Sequence, residues 1–252
     1  NLLMLNDNVL GHTSGLQLAD ETIVDMNGHS QTIGQLTGAA GSVLNINGGS
    51  LTISNGGTSA GTLTGNGNLS IDTGILNVSG SNADLSATTT IASGAEVALD
   101  NIQGLGSGNI ISDGRLNLNT VEGQLSNNLS GKGEVSFSEA NVALEGDNSG
   151  FSGQFNLDNN TQLVVSASNH LGDATVHNQG EMVLNGADDW TMHNQLDGSG
   201  DVIKQGLGNI TLTTNSAYTG TTDIQQGGLI LGQDDASVTL ASQEVKISST
   251  GM

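Results

Sequence analysis

Apolar residues along the chain alternate in short bursts: Leu16-x-Leu18, Leu44-x-Ile46, Leu51-x-Ile53, Leu69-x-Ile71, Leu76-x-Val78, Val97-x-Leu99, Leu116-x-Leu118 and Val142-x-Leu144. The series runs on through Phe155-x-Leu157, Leu163-x-Val165, Ile210-x-Leu212, Leu229-x-Leu231, Val238-x-Leu240 and Val245-x-Ile247. A period of two is that of a β-strand with one buried face. Each burst is bounded by Gly, Asn, Asp or Ser, residues that tolerate tight or left-handed corners. The pattern predicts many short strands and no substantial helix.

Sliding the sequence on itself reveals an internal repeat at an offset of 66 to 67 residues. The segment from Leu63 aligns with that from Leu129, matching Gly65 to Gly131, Gly67 to Gly133, Leu69 to Val135 and Asn82 to Asn148. A further copy begins at Leu196, where Asn148, Phe151 and Gly153 meet Asn215, Tyr218 and Gly220. Repetition on this scale, built from short strands, predicts an all-β fold: a right-handed parallel β-helix (β-solenoid) of about 11 coils of roughly 22 residues, three coils to each repeat. One β-helix segment is expected over residues 1–252, with repeat units at 63–128, 129–195 and an incomplete 196–252. A β-sandwich or antiparallel barrel leaves the long repeat unexplained.

Composition sharpens this reading. Gly, Asn, Ser and Thr supply 117 of 252 residues, and Pro and Cys are both absent. Proline breaks a ladder that needs every N–H, so its absence fits coils paired above and below. Without cysteine there is neither a disulfide framework nor a thiolate metal site. Four Lys and Arg against 25 Asp and Glu, a net charge of −21, exclude a nucleic-acid partner, because phosphate binding needs cations. No apolar run is long enough to span a bilayer, so no membrane insertion by this segment is expected. Asn1-Leu-Leu-Met-Leu lacks the basic flank of a signal peptide, which places any targeting segment outside this sequence.

The stretch from Leu196 to Gly232 closely resembles the passenger-associated repeat of bacterial autotransporters, the type V secretion adhesins of the AIDA and antigen 43 kind. The matching positions are Gly198, Gly200, Lys204, Gly206, Gly208, Leu212, Asn215, Tyr218, Thr219, Gly220, Thr222, Gly228, Leu229, Leu231 and Gly232. The copy from Leu129 is degenerate, with Phe151-Ser152-Gly153 in place of Tyr-Thr-Gly. The resemblance implies part of a passenger displayed on the bacterial cell surface, attached to the outer membrane through a translocator not in this chain. Such passengers mediate adhesion, self-aggregation and biofilm formation, and the repeat is associated with passenger folding during export.

Candidate chemistry is sparse. Gly146-Asp147-Asn148-Ser149-Gly150 superficially resembles a serine-protease motif, but an asparagine interrupts it, and Asn148 shares its repeat position with Asn82 and Asn215. It is read as a recurring corner. His12, His29, His170, His177 and His193 show no metal-site spacing and are read as solvated. Lys204 belongs to the repeat and is read as structural or surface. Glycan cleavage needs an aromatic platform, for which Trp190 and Tyr218 are the only candidates. Tyr218 is expected to pack over a neighbouring coil.

The chain is therefore expected to be no enzyme and to need no cofactor. Asp188-Asp189, Asp234-Asp235 and the group Asp20, Glu21 and Asp25 offer oxygens for incidental calcium. Trp190, where the second repeat copy gains a residue, is expected in a loop projecting from the solenoid. With Asp188, Asp189, Asp234 and Asp235 it forms the expected binding set. The expected function is non-enzymatic adhesion through a polar face, to a second copy or to a host surface protein or glycan. The alternatives are a structural stalk or folding module and, remotely, a glycan-acting enzyme on a β-helix.

Overall fold

In the computed structural model, described at residues 1–11 and 13–248, the chain is a right-handed parallel β-helix of about 12 turns. Helix among the described residues is confined to one 3-10 turn, Ser168–His170. Two compact units divide the chain: unit 1 is residues 1–121 with 127–134, and unit 2 is residues 122–126 with 135–252.

In unit 1 the chain visits three parallel sheets in rotation. The first holds Leu2–Leu3, Ile23–Asp25, Val43–Asn45 and Thr62–Thr64. The second holds Ser30–Ile33, Ser50–Ile53, Asn68–Ile71, Thr88–Ile91, Ile110–Ser112 and Leu129–Gly131. The third holds Gly15–Leu18, Gln35–Gly38, Gly57–Ser59, Gly74–Val78, Ala95–Leu99 and Arg115–Asn119. In-register stacking turns the two-residue period into columns of like residues: Ile33, Ile53, Ile71 and Ile91 stack inward, each at most 1% exposed. Burying each such side chain contributes about 2 kcal/mol.

One inward column carries a mismatch. Thr89 stacks between Leu69 and Ile110, fully buried, and its hydroxyl meets no hydrogen-bond partner among the described residues. Thr89→Val keeps the shape and removes the orphaned hydroxyl, so urea unfolding should show the variant more stable by about 1 kcal/mol.

Most coils are shorter than the expected 22 residues. Register partners lie 20 apart at Leu16 and Leu36, 18 at Ser50 and Asn68, and 23 at Thr221 and Glu244. The repeat offset is consequently no whole number of turns. Leu63 lies in the first sheet of unit 1 and Leu129, 66 residues on, lies in the second. In unit 2, Phe151 precedes the strand Gln154–Leu157, whereas its repeat partner Tyr218 precedes Thr221–Ile224 of a different sheet. At about 20 residues per coil the repeat advances three and a third turns, so each copy restarts one face later.

Unit 2 is built on the same plan. Its longest sheet holds Glu122–Leu125, Asn141–Leu144, Gln162–Val165, Glu181–Asn185, Asp201–Gln205, Thr221–Ile224 and Glu244–Ile247. Trp190–Met192, Ile210–Leu212 and Leu229–Leu231 form a second sheet; Gln154–Leu157, Thr175–Asn178 and Leu196–Asp197 lie in a third. All three phenylalanines of the chain meet in its core, with Phe155 6.3 Å from Phe137 and 5.0 Å from Phe151 between ring centroids.

Candidate functional site: faces and corners of the solenoid

Corners come first, because the repeat motif lies there. Stacked coils bring one backbone onto the next: a Cβ on Gly198 would lie 2.0 Å from the Asn178 carbonyl oxygen, on Gly200 2.3 Å from that of Gly180, and on Gly208 2.1 Å from that of Asp188. Gly206 and Gly220 press on Gly186 and Gly200 in the same way, at 2.3 and 2.1 Å. Gly232, at φ +96°, lies 2.1 Å from the Ala236 oxygen by the same measure, and the Gly228 carbonyl accepts from Ile210 N at 3.0 Å.

The recurring asparagine is a staple between coils. Asn82 Nδ2 donates to Gly104 O and Asn148 Nδ2 to His170 O, each at 2.7 Å, while Asn215 Oδ1 accepts from Thr239 N at 3.0 Å. Beside Asn148, the Ser149 hydroxyl donates to Asp147 Oδ1, closing a local turn. The Ser149 side-chain and backbone hydrogen bonds hold the Asp147 carboxyl below its usual range.

Tyr218 is fully buried, and its hydroxyl donates to Thr222 Oγ1 at 2.6 Å; Thr222 donates on to Ser242 at 2.9 Å, and Ser242 to Gly220 O at 2.7 Å. Burial pushes the phenol above the usual tyrosine range, against the Thr222 hydrogen bond. A raised folded pKa means stability that is present below pH 10 and lost as pH rises through the folded value. Ultraviolet titration of this single tyrosine should show it ionising above free tyrosine in the folded chain and with it in urea.

Trp190 corrects an expectation. It opens the strand Trp190–Met192, paired with Ile210–Leu212, and does not sit in a projecting loop. The extra residue is absorbed at the corner of residues 186–189, which the half-buried indole straps by donating from Nε1 to Asn185 O at 3.3 Å. Asp188 and Asp189 are exposed at that corner, and Asp189 Oδ1 accepts from Asn209 N at 2.7 Å. Asp234 and Asp235 are exposed in a turn following Leu229–Leu231, a different corner from the first pair. Among the described residues no three His, Asp or Glu side chains converge as a metal-holding group. Asp25 is occupied in the fold, accepting from Asn27 N at 2.8 Å and Asn47 Nδ2 at 2.9 Å.

Three histidines face outward and pair with an aspartate one coil away: His29 with Asp7 at 3.2 Å, His193 with Asp173 at 2.9 Å, and His177 with Asp197. Burial holds the His170 imidazole below its usual range, against the pull of Glu145 and Asp147. His12 lies outside the described residues.

The surface feature that the sequence did not expose is the second sheet of unit 1. Its outward residues form two columns, Ser30, Ser50, Asn68, Thr88 and Thr32, Thr52, Ser70, Thr90, with Ile111 and Ser130 continuing the latter. No strand of this sheet carries a charged residue. Neighbouring positions repeat at about 4.8 Å across strands and about 6.6 Å along them, a regular grid of hydroxyls. The only signal in the sequence was the recurrence of Ser-x-Thr and related triplets about every 20 residues, which acquires meaning once the register is known.

Fold and surface together define a repetitive parallel β-solenoid with stapled corners and, on the second sheet of unit 1, a hydroxyl-lined face whose strands carry no charge. Two proteins of Escherichia coli K12 share its sequence: the uncharacterized lipoprotein YdeK, 46% identical over 248 residues, covers 98% of this chain, and the uncharacterized protein YuaQ, 49% identical over 251 residues, covers 100%. The chain spans about a fifth of the length of these curated relatives, 19% of YdeK and 18% of YuaQ. No protein-family model matches the chain. No solved structure matches it.

Proposed function

We propose that this chain is a non-enzymatic segment of a bacterial surface protein, an adhesin of the autotransporter-passenger kind that holds a second copy of itself through the hydroxyl face of unit 1. The observation that carries this reading is the absence of charge on that face. At −21 per chain, two copies repel wherever their surfaces carry carboxylates, and an uncharged grid offers an approach without that penalty. Each exposed hydrogen bond contributes about 1 kcal/mol or less, so several in register are needed, as a ladder supplies. An envelope location is supported by the lipoprotein among the relatives, and surface display by the motif from Leu196.

Sedimentation velocity of the chain over a wide concentration range tests this. Concentration-dependent association should appear and grow with salt, as screening reduces the remaining repulsion. Thr52→Glu with Thr90→Glu should abolish it. A strict monomer in every condition would overturn self-association and favour the stalk reading, which has its own support in the motif glycines, all of them corner residues.

A further inference from the structure

We propose that the outward face of the longest sheet of unit 2 is a docking surface for a cationic amphipathic helix, an activity separate from the self-association proposed for unit 1. In-register stacking gives this face an apolar column, Ala143, Val164, Val183 and Ile203, in four successive coils. Val183 is already covered by its neighbours, at 3% exposed, while Ala143, Val164 and Ile203 are half-buried and open to a partner.

Two residues earlier on these four strands lie Asn141, Gln162, Glu181 and Asp201, and the same column carries Glu122 and Glu244 on the strands beyond them. Two residues later along the chain come Glu145, Ser166, Asn185 and Gln205, with Gln205 Nε2 donating to Gln225 of the next coil at 3.1 Å. Lys246 alone brings a cation to the strands of this face, and it lies 3.5 Å from Glu244; Lys204 points inward and is fully buried. Unit 2 holds 15 Asp and Glu against these two lysines. A second copy or an anionic membrane is repelled by such a surface, and a cationic chain is attracted.

Spacing selects the form of the partner. Coils repeat at about 4.8 Å and an α-helix at about 5.4 Å per turn, so a helix laid along the column drifts by less than about 2 Å over these four coils. An extended peptide presents same-side residues about 6.6 Å apart and loses register three times as fast. A helix with an apolar stripe on the column thus places Lys or Arg on one flank above the carboxylates, about 6.6 Å to the side. The apolar stripe is narrow, so the contact is a weak one whose on-rate is raised by charge.

The test is fluorescence anisotropy of the whole chain with a labelled Lys/Leu peptide of about four helical turns, at low and high salt. Val164→Thr with Ile203→Thr keeps both positions β-branched while adding a hydroxyl at each, and should weaken binding about fivefold or more while circular dichroism melting confirms the fold. Glu181→Gln with Asp201→Asn should weaken it and flatten the salt dependence. Asp72→Asn with Asp84→Asn removes equal charge from exposed positions of unit 1 and should leave affinity within about twofold. Equal loss in the unit 1 variant, no loss in the threonine variant, equal binding of a scrambled Lys/Leu peptide, or no binding by the unaltered chain would each overturn the docking site.

Discussion

Gly198→Ala should destabilise the folded chain by about 3 kcal/mol or more, one of the largest effects of any single methyl group in this molecule. Two penalties coincide there. Its φ of +106° lies where side chains are strained, and the added carbon would sit 2.0 Å from the Asn178 carbonyl oxygen and 2.7 Å from its carbon, both backbone atoms that cannot turn aside. Other glycines separate the two contributions. Gly28, at φ +77°, would place a methyl in open space, so Gly28→Ala carries backbone strain alone and should cost about 1 to 2 kcal/mol. Gly220 has no positive φ but would meet the Gly200 oxygen at 2.1 Å, so Gly220→Ala carries overlap alone and should force the coils apart. Urea midpoints followed by circular dichroism rank the three, Gly198→Ala lowest. Should Gly198→Ala unfold no earlier than Gly28→Ala, close coil stacking would not be what the motif glycines preserve.

Much of this architecture is legible in the residues themselves. Period-two bursts such as Leu69-x-Ile71 mark strands, Val238-x-Leu240 excepted, which makes only an isolated bridge from Leu240 to Ser216, and a recurring Asn at 82, 148 and 215 marks a corner because a corner is a local backbone requirement. Coil length was not legible from the repeat, since similarity between Leu63 and Leu129 reports ancestry of a segment and the structure places the two in different sheets. Faces fail for the same reason. Thr32, Thr52, Ser70 and Thr90 are unremarked polar residues until register aligns them, as are Val164, Val183 and Ile203 on the acidic face of unit 2. Trp190 misled because an added residue suggests a bulge, whereas its indole hydrogen bond to Asn185 O folds the addition into a corner. The inward position of Lys204, by contrast, was available: it shares strand parity with Val202, so alternation alone turns it toward the core.

That lysine carries the second large effect: Lys204→Met should destabilise the chain by about 2 to 4 kcal/mol at neutral pH. Lys204 occupies an inward column between Leu184 and Ile224, where the unbranched stem of methionine fills the same space. What the substitution removes is an ammonium that donates to Gln205 O and Gly206 O at 2.7 Å each and to Gln226 O at 3.0 Å, satisfying all three of its protons at one corner. Met leaves those carbonyls without it. Against this stands desolvation: burial pushes the ammonium below the ordinary lysine range, against the pull of Asp189. With the folded pKa below the unfolded one, the native state binds fewer protons between the two values. The stability from this group is therefore fullest above the unfolded pKa and falls as pH drops through the folded value. Measured against methionine, which donates nothing, the three hydrogen bonds to these carbonyls should still exceed that loss, because each buried carbonyl left without a donor costs about 1 kcal/mol or more. Urea unfolding of both proteins from neutral to alkaline pH measures the balance: Lys204→Met should start lower and lack the rise with pH that the lysine gives. A methionine variant as stable as the parent at neutral pH would mean that desolvation cancels the carbonyl cage, and that the lysine of the repeat is kept for something other than folded-state stability.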